Sequence, residues 1–255
     1  MIERQRKANE EAVRRMLALA PERMDPALIE LVAGKVTEFL DRVGSSAPRM
    51  TGPDGEPLLR WEDRLIEEEI PEGASVLDLG CGDGDLLARL IRNKRVGGQG
   101  VELHRESVFR CVEKSVPVLQ TDLDEGLSGF RDRSFDYVVL EETLQTLHRP
   151  VEVLNEMLRV GRFGIVSFPN FGYWRVRLDL VVRGQMPVTE WLPFRWYDSP
   201  NIHLFTLEDF QQWAADHSVT ILKGYALAEG EVRPLRATDN LYAEEALLVV
   251  ERNNA

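Results

Sequence analysis

The chain has 255 residues, 44% of them hydrophobic, and a formal net charge of −12. That length fits one large domain, or one domain with an extension. The acidic balance argues against a nucleic-acid backbone as the main partner, because such binding needs clustered positive side chains, and no apolar run approaches the roughly 20 residues that cross a membrane.

Residues 1–57 read as a helical extension with a linker. Within 10–20, Val13, Met16, Leu17 and Ala20 share one helical face. Asp25-Pro26 is a good helix start, with an acceptor at the N-cap and proline at the first helical position. Leu28, Leu31, Val32, Val36, Phe39, Leu40 and Val43 then recur at helical spacing, and Gly44 supplies the stop. So regular a stripe must be covered: by the main domain, by a partner, or by a second copy of the chain in a homodimer. Residues 45–57, with three prolines, two glycines and two serines, form the linker. The N-terminal Met-Ile-Glu-Arg-Gln-Arg-Lys has no apolar segment behind it that would mark a signal peptide. Cys81 and Cys111 give neither a disulfide framework nor a metal-ligand spacing. A cytoplasmic location without a metal centre is therefore expected.

Residues 58–255 form the second unit. Trp61, Leu65, Ile66 and Ile70 mark an amphipathic helix ended by Pro71. Strands are expected over 76–79, 98–103, 116–121, 135–140 and 164–168, with helices over 85–93, 107–114 and 150–158. The run at 135–140 is nearly all apolar and should be central. This alternation implies a doubly wound, mostly parallel sheet with helices on both faces. Residues 169–205 break the rhythm, with Trp174, Trp191, Trp196 and Tyr197 among prolines and arginines. They are expected to form a lid or docking surface, or else a second small core. Thr206 and Asp209 read as a capping box for a helix over 207–217. Two last strands, 219–227 and 246–251, are expected as an antiparallel edge around a long charged loop.

The stretch around which the chain is organised is Val-Leu-Asp-Leu-Gly-Cys-Gly-Asp-Gly at 76–84. It joins a buried strand to a helix through a glycine turn, a place where a nucleotide-type ligand approaches the backbone closely. The dinucleotide fingerprint G-x-G-x-x-G fits Gly80 and Gly82, but its third glycine falls on Asp85. Pyrophosphate disfavours carboxylates beside its amide cradle, and the turn carries Asp83 and Asp85. A cationic, phosphate-free ligand such as S-adenosylmethionine tolerates them. Glu102 ends the second strand where an acid meets ribose hydroxyls in such folds; otherwise it is a solvated strand-end acid. Asp122 ends the third, facing an adenine amino group or capping local backbone. Asp78, inside the first strand, is expected to be buried and to need hydrogen-bond partners.

Taken together, these residues look like the class I S-adenosylmethionine-dependent methyltransferase fold, a Rossmann-like seven-stranded sheet. The segments at 76–87, 120–127 and 134–140, with the long Gly-Ile-Val-Ser-Phe-Pro-Asn-Phe-Gly-Tyr-Trp-Arg-Val-Arg-Leu at 164–178 and Trp-Tyr-Asp-Ser-Pro-Asn-Ile-His-Leu at 196–204, resemble the methionine-biosynthesis protein W family. The resemblance implies S-adenosylmethionine or S-adenosylhomocysteine as cofactor. It implies a site at Asp78, Gly80, Cys81, Gly82, Glu102, Leu103, Asp122, Leu123 and Glu141, and homoserine O-acyltransferase as partner. This chain departs from the family in its first 57 residues and in Glu141-Glu142, where a less acidic Ser-Gln-like pair is expected.

Methyl transfer from a sulfonium needs proximity and in-line orientation, with a base where the acceptor must lose a proton. Glu141, Glu142 and His203 are the candidates, with His148 as an outlying one whose bland reading is a surface or capping role. Cys81 has no histidine near it in sequence and reads as a small side chain in a crowded turn. Whether the chain is an enzyme stays open. Acting with the acyltransferase, or as a stand-alone small-molecule methyltransferase, are the two expectations.

Overall fold

The computed structural model of the chain describes residues 60–189 and 191–253. The helices, the linker and the dimer surface expected within 1–57 lie outside the described residues. Helix α1 (Trp61–Glu69) leads into β1 (Ser75–Leu79), followed by α2 (Asp85–Lys94), β2 (Gly97–Glu102), α3 (Arg105–Glu113) and β3 (Val118–Gln120). Next come β4 (Phe135–Glu141), α4 (Pro150–Val160), β5 (Gly161–Pro169) and α5 (Trp174–Arg183). The chain closes with α6 (Leu207–Asp216), β6 (Val219–Ala228), β7 (Glu231–Pro234), α7 (Asp239–Tyr242) and β8 (Glu245–Arg252).

The strands form one sheet in the order β3-β2-β1-β4-β5-β8-β6-β7. The first five are parallel, and β8 runs antiparallel to both β5 and β6. The doubly wound, mostly parallel sheet is therefore present, with eight strands instead of the expected seven. The additional strand is β7, four residues paired antiparallel with β6. Its charged sequence Glu-Val-Arg-Pro hides it inside the presumed loop. The last strand is also not at the edge: β8 inserts between β5 and β6. That insertion is a tertiary choice that neither alternation nor chain order reveals.

The alternation of side chains along β1 explains how the layers assemble. Leu77 and Leu79 face one side and pack with Val138 and Leu140 against α4 and α6, through Val153, Leu154, Met157 and Phe210. Val76 faces the other side and packs with Val139 and Ile165 against α1 and α2, through Leu65, Ile66, Leu87 and Leu90. Each such fully buried aliphatic side chain stabilises by about 1.5–3 kcal/mol. Both layers share β1 and β4, between which the strand order reverses. That reversal opens a crevice at the carboxyl ends of the strands.

Candidate functional site

The turn after β1 is built on glycines with left-handed backbone. Gly80 and Gly84 have φ of 76° and Gly82 has φ of 52°. A Cβ on Gly80 would lie 2.6 Å from Thr143 Oγ1, and one on Gly84 would lie 2.9 Å from Cys111 Sγ. The turn is thus wedged between the segment after β4 and helix α3, and only glycine fits there. Gly80 N–H and Cys81 N–H both donate to the Val101 carbonyl, at 2.8 and 3.1 Å, which locks the turn onto β2.

Glu102, at the end of β2, is buried and completes the cradle. Its Oε2 accepts from Gly82 N–H at 2.9 Å and its Oε1 from His104 N–H at 2.7 Å. It is therefore no solvated strand-end acid. Each oxygen keeps a lone pair for a further donor. Leu103 beside it is 52% exposed and flanks the same crevice. Asp122 caps a short turn through Oδ1, which accepts from Asp124 N–H at 2.9 Å, and Leu123 packs into the core beneath.

Asp78 is 3% exposed in β1, as expected for that strand. Burial, reinforced by the nearby Asp63 and Glu102 charges, pushes its carboxyl up to about 7. The two turn aspartates, expected from the sequence to repel pyrophosphate, are instead paired on the α3 side: Asp83 with Arg110 at 2.7 Å and Asp85 with Lys114 at 2.6 Å. The acidic character of the crevice comes instead from Asp78, Glu102 and the residues after β4.

There the chain turns sharply. Glu142 takes a positive φ of 49°, a conformation costly for any residue but glycine. Glu141 and Glu142 face Arg60 at 3.7 and 3.9 Å, and Glu62 faces it at 3.2 Å. Burial pushes Glu141 well above the usual carboxylate range and Glu142 to about 7, against the pull of Arg60. Glu245, at the start of β8, is likewise pushed up by burial and accepts from Trp61 Nε1–H at 2.6 Å. Arg60, Glu62 and Glu245 are site residues that sequence reasoning missed. Arg60 and Glu62 lie far along the chain from Glu245 and from the β4 end, and only the β5–β8 pairing and the docking of α1 bring them together there.

The histidines separate. His148 is exposed, and its backbone N–H donates to Asp124 Oδ2 at 3.0 Å beside the start of α4, away from the turn. His203 is also exposed, but its backbone N–H donates to the Gln145 carbonyl at 3.0 Å, three residues from Glu142. The Cys81 thiol is pushed strongly up by burial and lies 3.9 Å from the Cys111 sulfur, which suits packing and not nucleophilic attack.

Residues 169–205 divide in two. The first part contains α5 and the hub Asn170, which is 1% exposed. Asn170 Oδ1 accepts from Gly172 and Leu207 N–H at 2.9 and 3.0 Å, while its amide donates to the Ala243 carbonyl at 2.9 Å. This ties β5 to α6 and α7. The second part is open: Trp196 is 78% exposed and Tyr197 61% exposed. Trp196 lines a cavity of about 220 Å³ together with Phe171, Met186, Leu192, Phe194 and Leu204.

A family model described as methionine biosynthesis protein MetW matches residues 60–250. The bifunctional methionine biosynthesis protein MetXA/MetW of Rhodopirellula baltica is 37% identical over 207 residues, which cover 77% of this chain. The chain spans 33% of the length of that relative. Among solved structures, a TehB-like S-adenosylmethionine-dependent methyltransferase from Corynebacterium glutamicum aligns with a TM-score of 0.53 at 16% identity, covering 90% of this chain and 100% of that one. The [4+2]-cyclase SpnF aligns with a TM-score of 0.55 at 17% identity, covering 90% and 96%. These structural likenesses concern the fold alone, and the cyclase demonstrates that the fold also hosts other chemistry. With three quarters of its residues matched to the model and more than a third identical in the curated relative, the chain belongs to the MetW family, within the class I S-adenosylmethionine-dependent methyltransferase superfamily.

Proposed function

We propose that the chain binds S-adenosylmethionine or S-adenosylhomocysteine across the crevice between β1 and β4 and works with homoserine O-acyltransferase in methionine biosynthesis. In this reading the glycine turn takes the methionine part of the cofactor, with Asp78 and Glu141 near its ammonium. Glu102 takes the ribose hydroxyls beside Leu103, and Asp122 the adenine amino group, with Leu123 and Cys81 packing beneath. The observation that carries the partnership is the relative in which a MetW unit and a MetXA unit share one chain. Phe194, Trp196, Tyr197 and Ile202 expose apolar surface within 169–205, which suits contact with a second protein. Co-expression of the two proteins, followed by gel filtration and assay of acyl transfer, tests this. Co-elution with raised acyltransferase turnover is expected, and separate elution with unchanged turnover would overturn it.

A specific observation also favours a second reading, a stand-alone small-molecule methyltransferase. Glu142 sits at the end of β4 with its carboxyl pushed up by burial to about 7, where it takes a proton readily near neutral pH. This reading requires S-adenosylhomocysteine to form in step with a methylated product. Glu142→Gln would then abolish transfer while leaving cofactor affinity unchanged.

A further inference from the structure

Three carboxylates from distant parts of the chain converge beside the crevice. Glu62 is on α1, Glu142 follows β4 and Glu245 opens β8, and one oxygen from each lies within 4.8 Å of the others. Glu62 and Glu245 are 1% and 2% exposed. Carboxylates buried this deeply need partners for their charge. Arg60 supplies one guanidinium, contacting Glu62 Oε1 and Glu142 Oε2, and Trp61 Nε1–H satisfies Glu245 Oε2. The second oxygens, Glu62 Oε2 and Glu142 Oε1, are buried and receive no N–H donor, and both side chains face the Glu245 carboxyl instead. The arrangement therefore lacks a positive group at one defined point.

We infer that Glu62, Glu142 and Glu245 form a binding site for one hard divalent cation, of the Mg²⁺, Ca²⁺ or Mn²⁺ class. Three features select this occupant. The donor set is all carboxylate oxygen, which suits these ions and not the softer thiolate- or imidazole-binding metals. Arg60 is shared by Glu62, Glu141 and Glu142, so the cluster, once ionised, keeps an excess of negative charge that a divalent ion neutralises. Glu62 and Glu245 are almost fully buried while the Glu142 side chain is 26% exposed, so an ion enters from the Glu142 side. Arg60 holds the outer oxygens of Glu62 and Glu142, so their inner oxygens stay directed at the shared point. Bound there, the ion ties α1 to the ends of β4 and β8, next to Glu141. It is separate from the cofactor contacts at Glu102 and Asp122. The three ligand residues are 80 and 103 positions apart in sequence, so no spacing motif announces them.

The test uses the full chain, freed of metal by chelator and titrated with MnCl₂ alone. Free Mn²⁺ is followed by electron paramagnetic resonance, and heat by calorimetry at mildly alkaline pH. One Mn²⁺ per chain is expected, displaced by Ca²⁺ or Mg²⁺, with a rise in melting temperature on binding. Glu142→Gln, at the least buried of the three side chains, should weaken Mn²⁺ at least about tenfold, the usual effect of losing a coordinating or supporting carboxylate. Glu62→Gln and Glu245→Gln should do the same. Glu229→Gln, on the exposed turn between β6 and β7, should leave binding unchanged. Absence of stoichiometric Mn²⁺ or Ca²⁺ binding at millimolar concentration would overturn the inference, as would binding undiminished in all three variants.

Discussion

Replacing Asp78 by asparagine separates what the residue costs the fold from what it gives the ligand. Its carboxyl moves from an ordinary 3.8 to about 7, first through burial and then through Asp63 and Glu102. The native state therefore holds a proton that the unfolded chain releases, and stability falls as pH rises from about 4 to about 7. Above that window, the buried charge costs the free protein about 4 kcal/mol. Roughly 3 kcal/mol of that cost accrues between about pH 5 and about pH 8. Asparagine has the same shape and no charge, so it removes this slope. It adds the penalty of a buried amide, about 1–3 kcal/mol if its donors stay unpaired. That penalty is the same at both pH values. The difference in urea-unfolding free energy between Asp78→Asn and the native chain should thus favour the variant by about 3 kcal/mol more at about pH 8 than at about pH 5. The other buried carboxylates titrate in both proteins, so the comparison isolates Asp78 apart from its small charge effect on Glu141. In calorimetry, the same variant should bind S-adenosylhomocysteine at least about tenfold more weakly, because the ligand ammonium loses its charged partner. A stability difference that does not change with pH would refute the assignment of a buried, ionising Asp78. Unaltered affinity would refute its place beside the ligand.

Other substitutions probe other parts of the account. Gly80→Ala forces a Cβ into a left-handed position 2.6 Å from Thr143 Oγ1, and should cost about 1–3 kcal/mol in urea unfolding and abolish cofactor binding. Asn170→Ala strands the N–H groups of Gly172 and Leu207 and the Ala243 carbonyl, and should cost about 3–5 kcal/mol by the same measurement. Trp196→Ser, at a side chain 78% exposed, should leave stability within about 0.5 kcal/mol and cofactor affinity unchanged while abolishing co-elution with the acyltransferase.

The parts of this molecule that were legible in the sequence are those governed by local periodicity. The alternation in Val76-Leu77-Asp78-Leu79 and the apolar run of β4 announce buried parallel strands. The broken dinucleotide fingerprint at Asp85 steers the ligand away from pyrophosphate, although Asp83 and Asp85 are in fact neutralised by Arg110 and Lys114. The Thr206–Asp209 capping box forms with both of its hydrogen bonds. What was not legible depends on long-range pairing. Helix α5 is masked by the aromatic and arginine-rich composition around Trp174, and β7 by its charges. The insertion of β8 between β5 and β6 carries Glu245 to Glu142, and no local pattern encodes that. The family-like segment at 164–178 turns out to hold Asn170, whose hydrogen bonds organise the fold. Its length in the sequence thus reflects architecture as much as ligand contact.

The cradle formed by the glycine turn and Glu102 is the proposed seat of S-adenosylmethionine or S-adenosylhomocysteine. Calorimetric titration of S-adenosylhomocysteine into the native chain and into Glu102→Ala tests it most directly. That substitution removes the acceptor of Gly82 and His104 N–H along with the group assigned to the ribose. Saturable binding at one ligand per chain is expected, weakened at least about a hundredfold in the variant, as when a doubly hydrogen-bonded charged group is lost. No heat at millimolar ligand, or equal affinity in the two proteins, would contradict it.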